Sequence, residues 1–158
     1  MTAPVATARG TPSGIRLDEG YQTLVTLAAS STVAFWEKTV TPPGIDGGDP
    51  VDTTTMHNVR WMGKNPQTLI EMTEFSMTAA YDPVLYTTML SLVNVKTTVT
   101  ITFPDGSTLA FYGYLKSFAP DAIERGTQPE ATITVIPTNQ DPSTGAEEDP
   151  VLTNVAGT

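Results

Sequence analysis

The chain has 158 residues, with 8 Lys and Arg against 17 Asp and Glu, a formal net charge of −9 and no cysteine. The length suits one domain with a real core, and the missing cysteines exclude disulfides, thiolate zinc sites and cysteine nucleophiles. Cations scattered singly from Arg9 to Arg125 argue against a tight grip on a phosphate backbone.

Residues 1–14 are small, polar and marked by Pro and Gly, and read as an N-terminal arm. The opening MTAPVATARG lacks a hydrophobic run of signal-peptide length. No apolar segment approaches the roughly 20 residues that span a bilayer. A soluble protein made in a cytoplasm, with no membrane partner, is expected. Tyr21–Ala28 and Thr32–Thr41 alternate like strands, and Ala29-Ser30-Ser31 between them is short enough for a hairpin.

TPPGIDGGDPVDTTTMHN follows, Thr41 to Asn58, with three prolines, three glycines, three aspartates and the only histidine. So long a connection tends to be functional or disordered. Asp46, Asp49 and Asp52 are spaced by threes. A calcium loop of the EF-hand type places oxygens at alternate positions and closes with a glutamate, and neither feature is present. Gly44, Gly47 and Gly48 never meet the Gly-Lys-Ser/Thr ending of a phosphate loop. His57 stands alone, without a nucleophile-elbow pattern, and reads as a structural hydrogen-bonding residue. No catalytic, cofactor or metal site is expected.

Asn65–Ala80 reads as a third strand region whose apolar parity switches between Met72 and Phe75. A β-bulge near Thr73-Glu74 restores one apolar face and leaves Glu71, Glu74, Ser76 and Thr78 together on the other. Asp82–Val93 is the one helix candidate. Asp82 can cap it, Pro83 suits its first turn, and Asn94 is placed to end it. Val84, Leu85, Met89, Leu92 and Val93 form its stripe. Val95–Phe103 sets Lys96, Thr98, Thr100 and Thr102 against Val95, Val99, Ile101 and Phe103. ProAspGlySer at 104–107 is a hairpin turn leading to Thr108–Phe118. Asp121–Pro129 is turn-like, and Ala131–Ile136 is a last strand.

The strand aromatics Phe35, Trp36, Phe103, Phe111, Tyr112, Tyr114 and Phe118 have no surrounding Lys and Arg, so they read as packing residues. Residues 140–158 are acidic, lack aromatics and read as an extension without order of its own. The fold class expected is mainly β: an antiparallel β-sandwich or barrel with one flanking helix and a long loop after the second strand.

PPGIDGGDPVDTTTMHN, YDPVLYTTMLSLVNV, TVTITFPDGSTLAFYGYLKSFAP and EATITVIPTN, in that order, resemble the major tail tube proteins of long-tailed bacteriophages of the siphophage type. The resemblance covers residues 15–139, the tail-tube β domain, and not the arm at 1–14 or the acidic extension at 140–158. It implies hexameric rings joined sheet edge to sheet edge and stacked into a hollow virion tube. A tape-measure protein fills the tube during assembly and genomic DNA later passes through it, neither bound tightly. Tail terminator and tail-tip proteins are the further partners implied. The long loop becomes a contact arm to the next ring, with Pro43, Gly44, Ile45, Asp46, Asp49, Asp52 and Thr54 in the joint. Its polar character keeps the free subunit soluble. Glu71, Glu74, Ser76 and Thr78 would line the lumen, where an acidic wall repels DNA. The other readings are a head–tail joining, tail-terminator or decoration subunit, and a host- or carbohydrate-binding β-sandwich.

Overall fold

A computed structural model describes residues 20–30 and 33–154. The expected arm at 1–14, Ser31 and Thr32 in the expected hairpin, and residues 155–158 of the extension lie outside the described residues. The strands are β1 (Leu24–Leu27), β2 (Glu37–Thr41), β3 (Ile45–Asp46), β4 (Val51–Asp52), β5 (Lys64–Asn65), β6 (Glu71–Met72), β7 (Phe75–Ala80), β8 (Lys96–Thr102), β9 (Thr108–Pro120), β10 (Glu130–Pro137) and β11 (Val151–Thr153). One helix, α1, spans Leu85–Leu92.

Alternation builds the main sheet. In β7 the odd residues Phe75, Met77 and Ala79 are buried and the even ones half-exposed; in β8 Val99 and Ile101 are buried between threonines. Long-range pairing makes an antiparallel sheet in the order β1-β8-β9-β10-β7-β2, with β11 added to β9. Its apolar face, with Phe75, Ile101, Leu115, Ile133 and Val135, forms one continuous core with Met89 of the helix. Phe75 and Phe111 meet there at 6.1 Å between ring centroids. The mainly antiparallel β class with one helix is as expected.

The expected hairpin between the first two strand runs does not form. β1 pairs with β8 and β2 with β7, at opposite ends of the sheet. A short 3-10 turn at Ala28–Ser30 leads away from β1 instead. Val33 and Phe35 keep the alternation and are buried, although 33–36 belong to no strand and touch β7 only through Ala80 N–H to Trp36 O at 2.9 Å among the described backbone bonds. The sheet curls enough for its end strands to approach. Val25 N–H of β1 donates to Glu37 Oε1 of β2 at 2.9 Å, so a side chain, not a backbone ladder, spans the seam.

The helix begins at Leu85, three residues after Asp82. Asp82 Oδ1 accepts from Val84 N–H at 3.0 Å and shapes a turn ahead of the helix. Met89 and Leu92 enter the core, while Val84, placed on the same stripe by spacing, is exposed because it precedes the first helical turn. Asn94, at φ +62°, ends the helix as expected, and its N–H reaches Leu115 O. The ProAspGlySer hairpin also forms. Gly106 sits at φ +85°, and Asp105 Oδ1 accepts from both Ser107 N–H and Ser107 Oγ. Those bonds hold the Asp105 carboxyl below its usual range. Their contribution is therefore present above pH 4 or so and is lost as pH falls below it.

At Gly113 β9 runs close to the backbone of β10. A Cβ there would lie 2.8 Å from Ile136 O and 3.1 Å from Val135 Cγ1. Backbone cannot yield as a side-chain end can. Gly113→Ala is expected to cost about 1–3 kcal/mol, read as a lowered urea midpoint with an unchanged slope.

The acidic C-terminal segment is not without order. After β10 the chain turns back through Asp141, whose Oδ1 accepts from Ser143 N–H at 2.7 Å, and Glu148 N–H returns to Asn139 O. β11 then pairs with β9, Val151 opposite Ala110 and Leu152 opposite Leu109. The segment is a strap on the sheet. Its carboxylates Asp141 and Glu148 lie close enough to raise the Tyr112 phenol, Asp141 foremost. A polar composition had predicted disorder, but a free edge on β9 supplies the ladder that the segment lacks alone.

Candidate assembly surfaces

The third strand region is not one bulged strand. It breaks at Thr73-Glu74, and the two halves join different sheets. β7 belongs to the main sheet, while β6 pairs with β3 (Ile45 opposite Met72, Asp46 opposite Glu71). Beyond it β4 pairs with β5, Val51 opposite Asn65 and Asp52 opposite Lys64. Residues 44–73 are therefore a two-stranded ribbon, closed at its root by Thr73 N–H to Gly44 O at 2.9 Å and Gly44 N–H to Thr73 Oγ1 at 2.7 Å. The expected loop Thr41–Asn58 is its outgoing half. The return half is residues 59–73.

Within the ribbon the polar residues serve its own turns. Asp46 Oδ1 accepts from Gly48 N–H at 2.8 Å, and Asp52 Oδ1 from Thr54 N–H at 2.9 Å. The Thr54 bonds hold Asp52 below the ordinary carboxylate range. Thr54 Oγ1 closes the tip by accepting from Gly63 N–H at 2.9 Å. Pro43 is half-buried at the root, and Asp49 is exposed between the two short ladders. His57 is exposed at the tip, its N–H on Thr55 Oγ1 at 3.3 Å. Among the described residues no group of three His, Cys, Asp or Glu is placed to hold a metal ion.

What the expectation missed is apolar. Residues 45–70 carry eight of the eighteen exposed large hydrophobic residues among those described. Ile45, Val51 and Met56 lie on the outgoing half. Val59, Trp61, Met62, Leu69 and Ile70 lie on the return half, with Met56 and Val59 fully exposed. Arg60 stacks over the Trp61 ring at 5.3 Å. Burying a large apolar side chain gains about 1.5–3 kcal/mol, against about 1 kcal/mol for a net hydrogen bond. Covering the ribbon would therefore gain more from its apolar side chains than from its hydrogen bonds, and the expectation of an arm without an apolar patch is corrected. The signal was present in Trp61 and Met62 between Asn58 and Pro66, but it has no strand period and falls outside the loop as first bounded.

The break also separates the four residues expected on one face. Glu74, Ser76 and Thr78 share the face of β7 opposite its buried side chains, while Glu71 lies on the ribbon. That β7 face continues across the sheet through hydroxyls. Thr78 lies between Thr39 and Thr132, Ser76 between Thr41 and Thr134, and Thr134 opposite Ser117. The Thr39 and Thr78 hydroxyls bond to each other. Two ion pairs flank them, Lys38 with Glu130 and Lys116 with Glu74, the latter at 3.1 Å. A third feature is the seam. Neither β1 nor β2 has a partner strand on its outer side among the described residues, and the exposed Tyr21, Leu24 and Trp36 line the cleft between them.

No family model matches the sequence, and no curated protein matches it. Solved structures do match. The chain has the fold of tail and injection-system components. It is similar, at 12% identity and a TM-score of 0.59, to a chain of the sheath–tube complex of an extracellular contractile injection system in the extended state, covering 97% of this chain and 100% of that one. A chain from the tail of an empty gene transfer agent particle, refined helically with C6 symmetry, matches at 10% identity and a TM-score of 0.56, over 89% of this chain and 100% of the other. A chain of the baseplate of the anti-feeding prophage, 6-fold symmetrised, matches at 6% identity and 0.58, over 84% and 91%. At these identities the likeness is one of fold.

Proposed function

We propose that the chain is the major tail tube subunit of a long-tailed, siphophage-type bacteriophage, a structural virion protein without catalysis. Six copies close a ring, rings stack into a tube, and DNA passes through the hole. The observation that carries this reading is the ribbon: a projecting two-stranded arm with eight exposed large apolar residues. A free subunit has nothing to cover them. Roughly 12–24 kcal/mol of gross apolar burial is available there, enough to exceed an association cost of about 4–15 kcal/mol. The fold shared with C6 and 6-fold assemblies supports it. The outer edges of β1 and β2, bridged within the subunit by one side-chain hydrogen bond and not by a ladder, are the proposed candidates for joining around a ring.

The hydroxyl face of β2, β7 and β10, with Glu74, Ser76 and Thr78, is the proposed lumen wall. Neutral hydroxyls and paired charges present water to DNA without a row of cations to hold it. Glu71, on the ribbon, is assigned to the joint between rings and not to the lumen. The tape-measure protein and genomic DNA are the proposed lumen contents, and tail terminator and tail-tip proteins the proposed ends.

Negative-stain microscopy and sedimentation of the concentrated protein test this. Tubes of uniform diameter with a central hole are expected. Rings that never stack would favour a terminator or other joining subunit, a reading to which the baseplate likeness lends some weight. Monomers at every concentration and with tail-tip partners, or a turnover depending on His57, would remove the tube reading.

A further inference from the structure

The two ends of the ribbon differ in charge and cannot meet within one subunit. Between Asp52 and Glu71 there is no acidic residue, while Arg60 and Lys64 are cationic. The tip therefore presents Met56, Val59, Trp61 and Met62 with the cations Arg60 and Lys64, all exposed, Lys64 lying opposite Asp52 in the ladder and Arg60 facing no carboxylate across it. At the root the ribbon and the C-terminal strap enclose a cleft of about 530 Å³. Its apolar wall is Ile45, Leu69 and Ile70, each more than two-thirds exposed. The strap contributes Glu147, Glu148 and Asp149 to its lining, and Glu71 is contributed by the ribbon. No Lys, Arg or His lines it, and none of these four carboxylates pairs with a cation among the described residues. Thr138 and Asn139 also line it, and the buried Thr138 Oγ1 and Asn139 Oδ1 have no hydrogen-bond partner.

We infer that this acidic apolar cleft is the socket for the basic apolar ribbon tip of a second copy of the chain. The inference rests on the tube reading and names the partner surface of its joint. Charge complementarity selects the occupant: a cationic tip with an aromatic and two methionines meets an anionic cleft with three aliphatic side chains. Geometry makes the contact intermolecular. From Ile45 to Met56 the ribbon can extend up to about 36 Å at roughly 3.3 Å per residue, and two ladders hold it open between root and tip. A plug at one end and a socket at the other end of the same stiff element can be satisfied only head to tail. A head-to-tail contact that uses two different patches propagates without limit, as a stack of rings requires. The strap thereby acquires a role, since it supplies three of the four carboxylates.

Charge reversal with rescue tests it. Arg60→Glu with Lys64→Glu, and separately Glu147→Lys with Glu148→Lys, are exposed changes that leave the core untouched. Each pair alone is expected to raise the concentration needed for stacking about tenfold or more. Mixing the two variants is expected to restore stacking, because each reversed tip then meets a reversed cleft. The absence of native cysteine allows a second readout. Met62→Cys mixed with Glu148→Cys should give a cross-linked dimer with a short bis-maleimide, under stacking conditions only. If the wild type stacks but reversal has no effect, or mixing fails to rescue it, or the cross-link is absent, the socket is wrong and the tube reading stands. If the wild type never stacks, both fall.

Discussion

Excising residues 46–71 and joining Ile45 to Met72 through an Asn-Gly turn is expected to yield a folded subunit that no longer stacks at any concentration the wild type needs. No buried core residue lies between 45 and 72, and Met72, which packs against the core, is retained. Ile45 and Met72 already face each other in register, so a two-residue turn can close them. The thermal midpoint should therefore move by no more than a few degrees, since surface changes of this kind are worth about ±0.5 kcal/mol each. The assembly effect should be complete, because the excision removes the proposed plug and part of its proposed socket. A narrower deletion of 44–52 is expected to behave worse. It leaves Trp61, Met62, Leu69 and Ile70 on a return half with no ladder, and aggregation should follow. Tubes that still form from the 46–71 excision, seen by negative stain, would show that the ribbon is not the joint.

Phe75→Ala is expected to have the largest effect on folding itself. Phe75 is fully buried, and its ring packs on Phe111 in the centre of the core. Truncation to Ala costs about 3–5 kcal/mol at such a site, against a total stability of about 5–15 kcal/mol for an ordinary domain. Its neighbour is the control. Ser76 lies on the opposite face of β7 among hydroxyls, so Ser76→Ala should stay within about 0.5 kcal/mol. Urea unfolding followed by far-UV circular dichroism reads both. Equal losses at the two positions would mean that the polar face of β7 is packed and not open, which would also remove it from the lumen.

The candidate surfaces were legible unevenly. Ser76 and Thr78 share one face because β7 has an uninterrupted period of two, and Glu74 directly precedes that strand. Glu71 could not be placed in the same way, because a parity switch has two physical causes, a bulge or a break, and both leave the same letters in the sequence. Distinguishing them requires knowing what Met72 pairs with. The ribbon was only half seen for the same reason. Its outgoing half is marked by Pro, Gly and Asp, which act locally on the backbone. Its return half is marked only by apolar residues whose exposure is a property of the folded chain.

By themselves the residues determined everything governed by near neighbours along the chain. The alternation of β7, β8 and β10, the Gly106 turn, the end of the helix at Asn94 and the absence of any cation cluster follow from side-chain volume, backbone freedom and charge. These act over a few residues and are therefore written locally. The tertiary structure alone decided which strands pair. It sent β1 and β2 to opposite ends of the sheet, gave β6 to β3 and not to β7, and laid the acidic C-terminal strap onto β9 although its composition lacks the apolar residues for independent order. Backbone hydrogen-bond groups are the same at every position, so partner choice comes from the sum of apolar burial over the whole sheet. That sum left the ribbon uncovered and set its basic tip and acidic root apart, and neither fact can be computed from any single stretch of sequence.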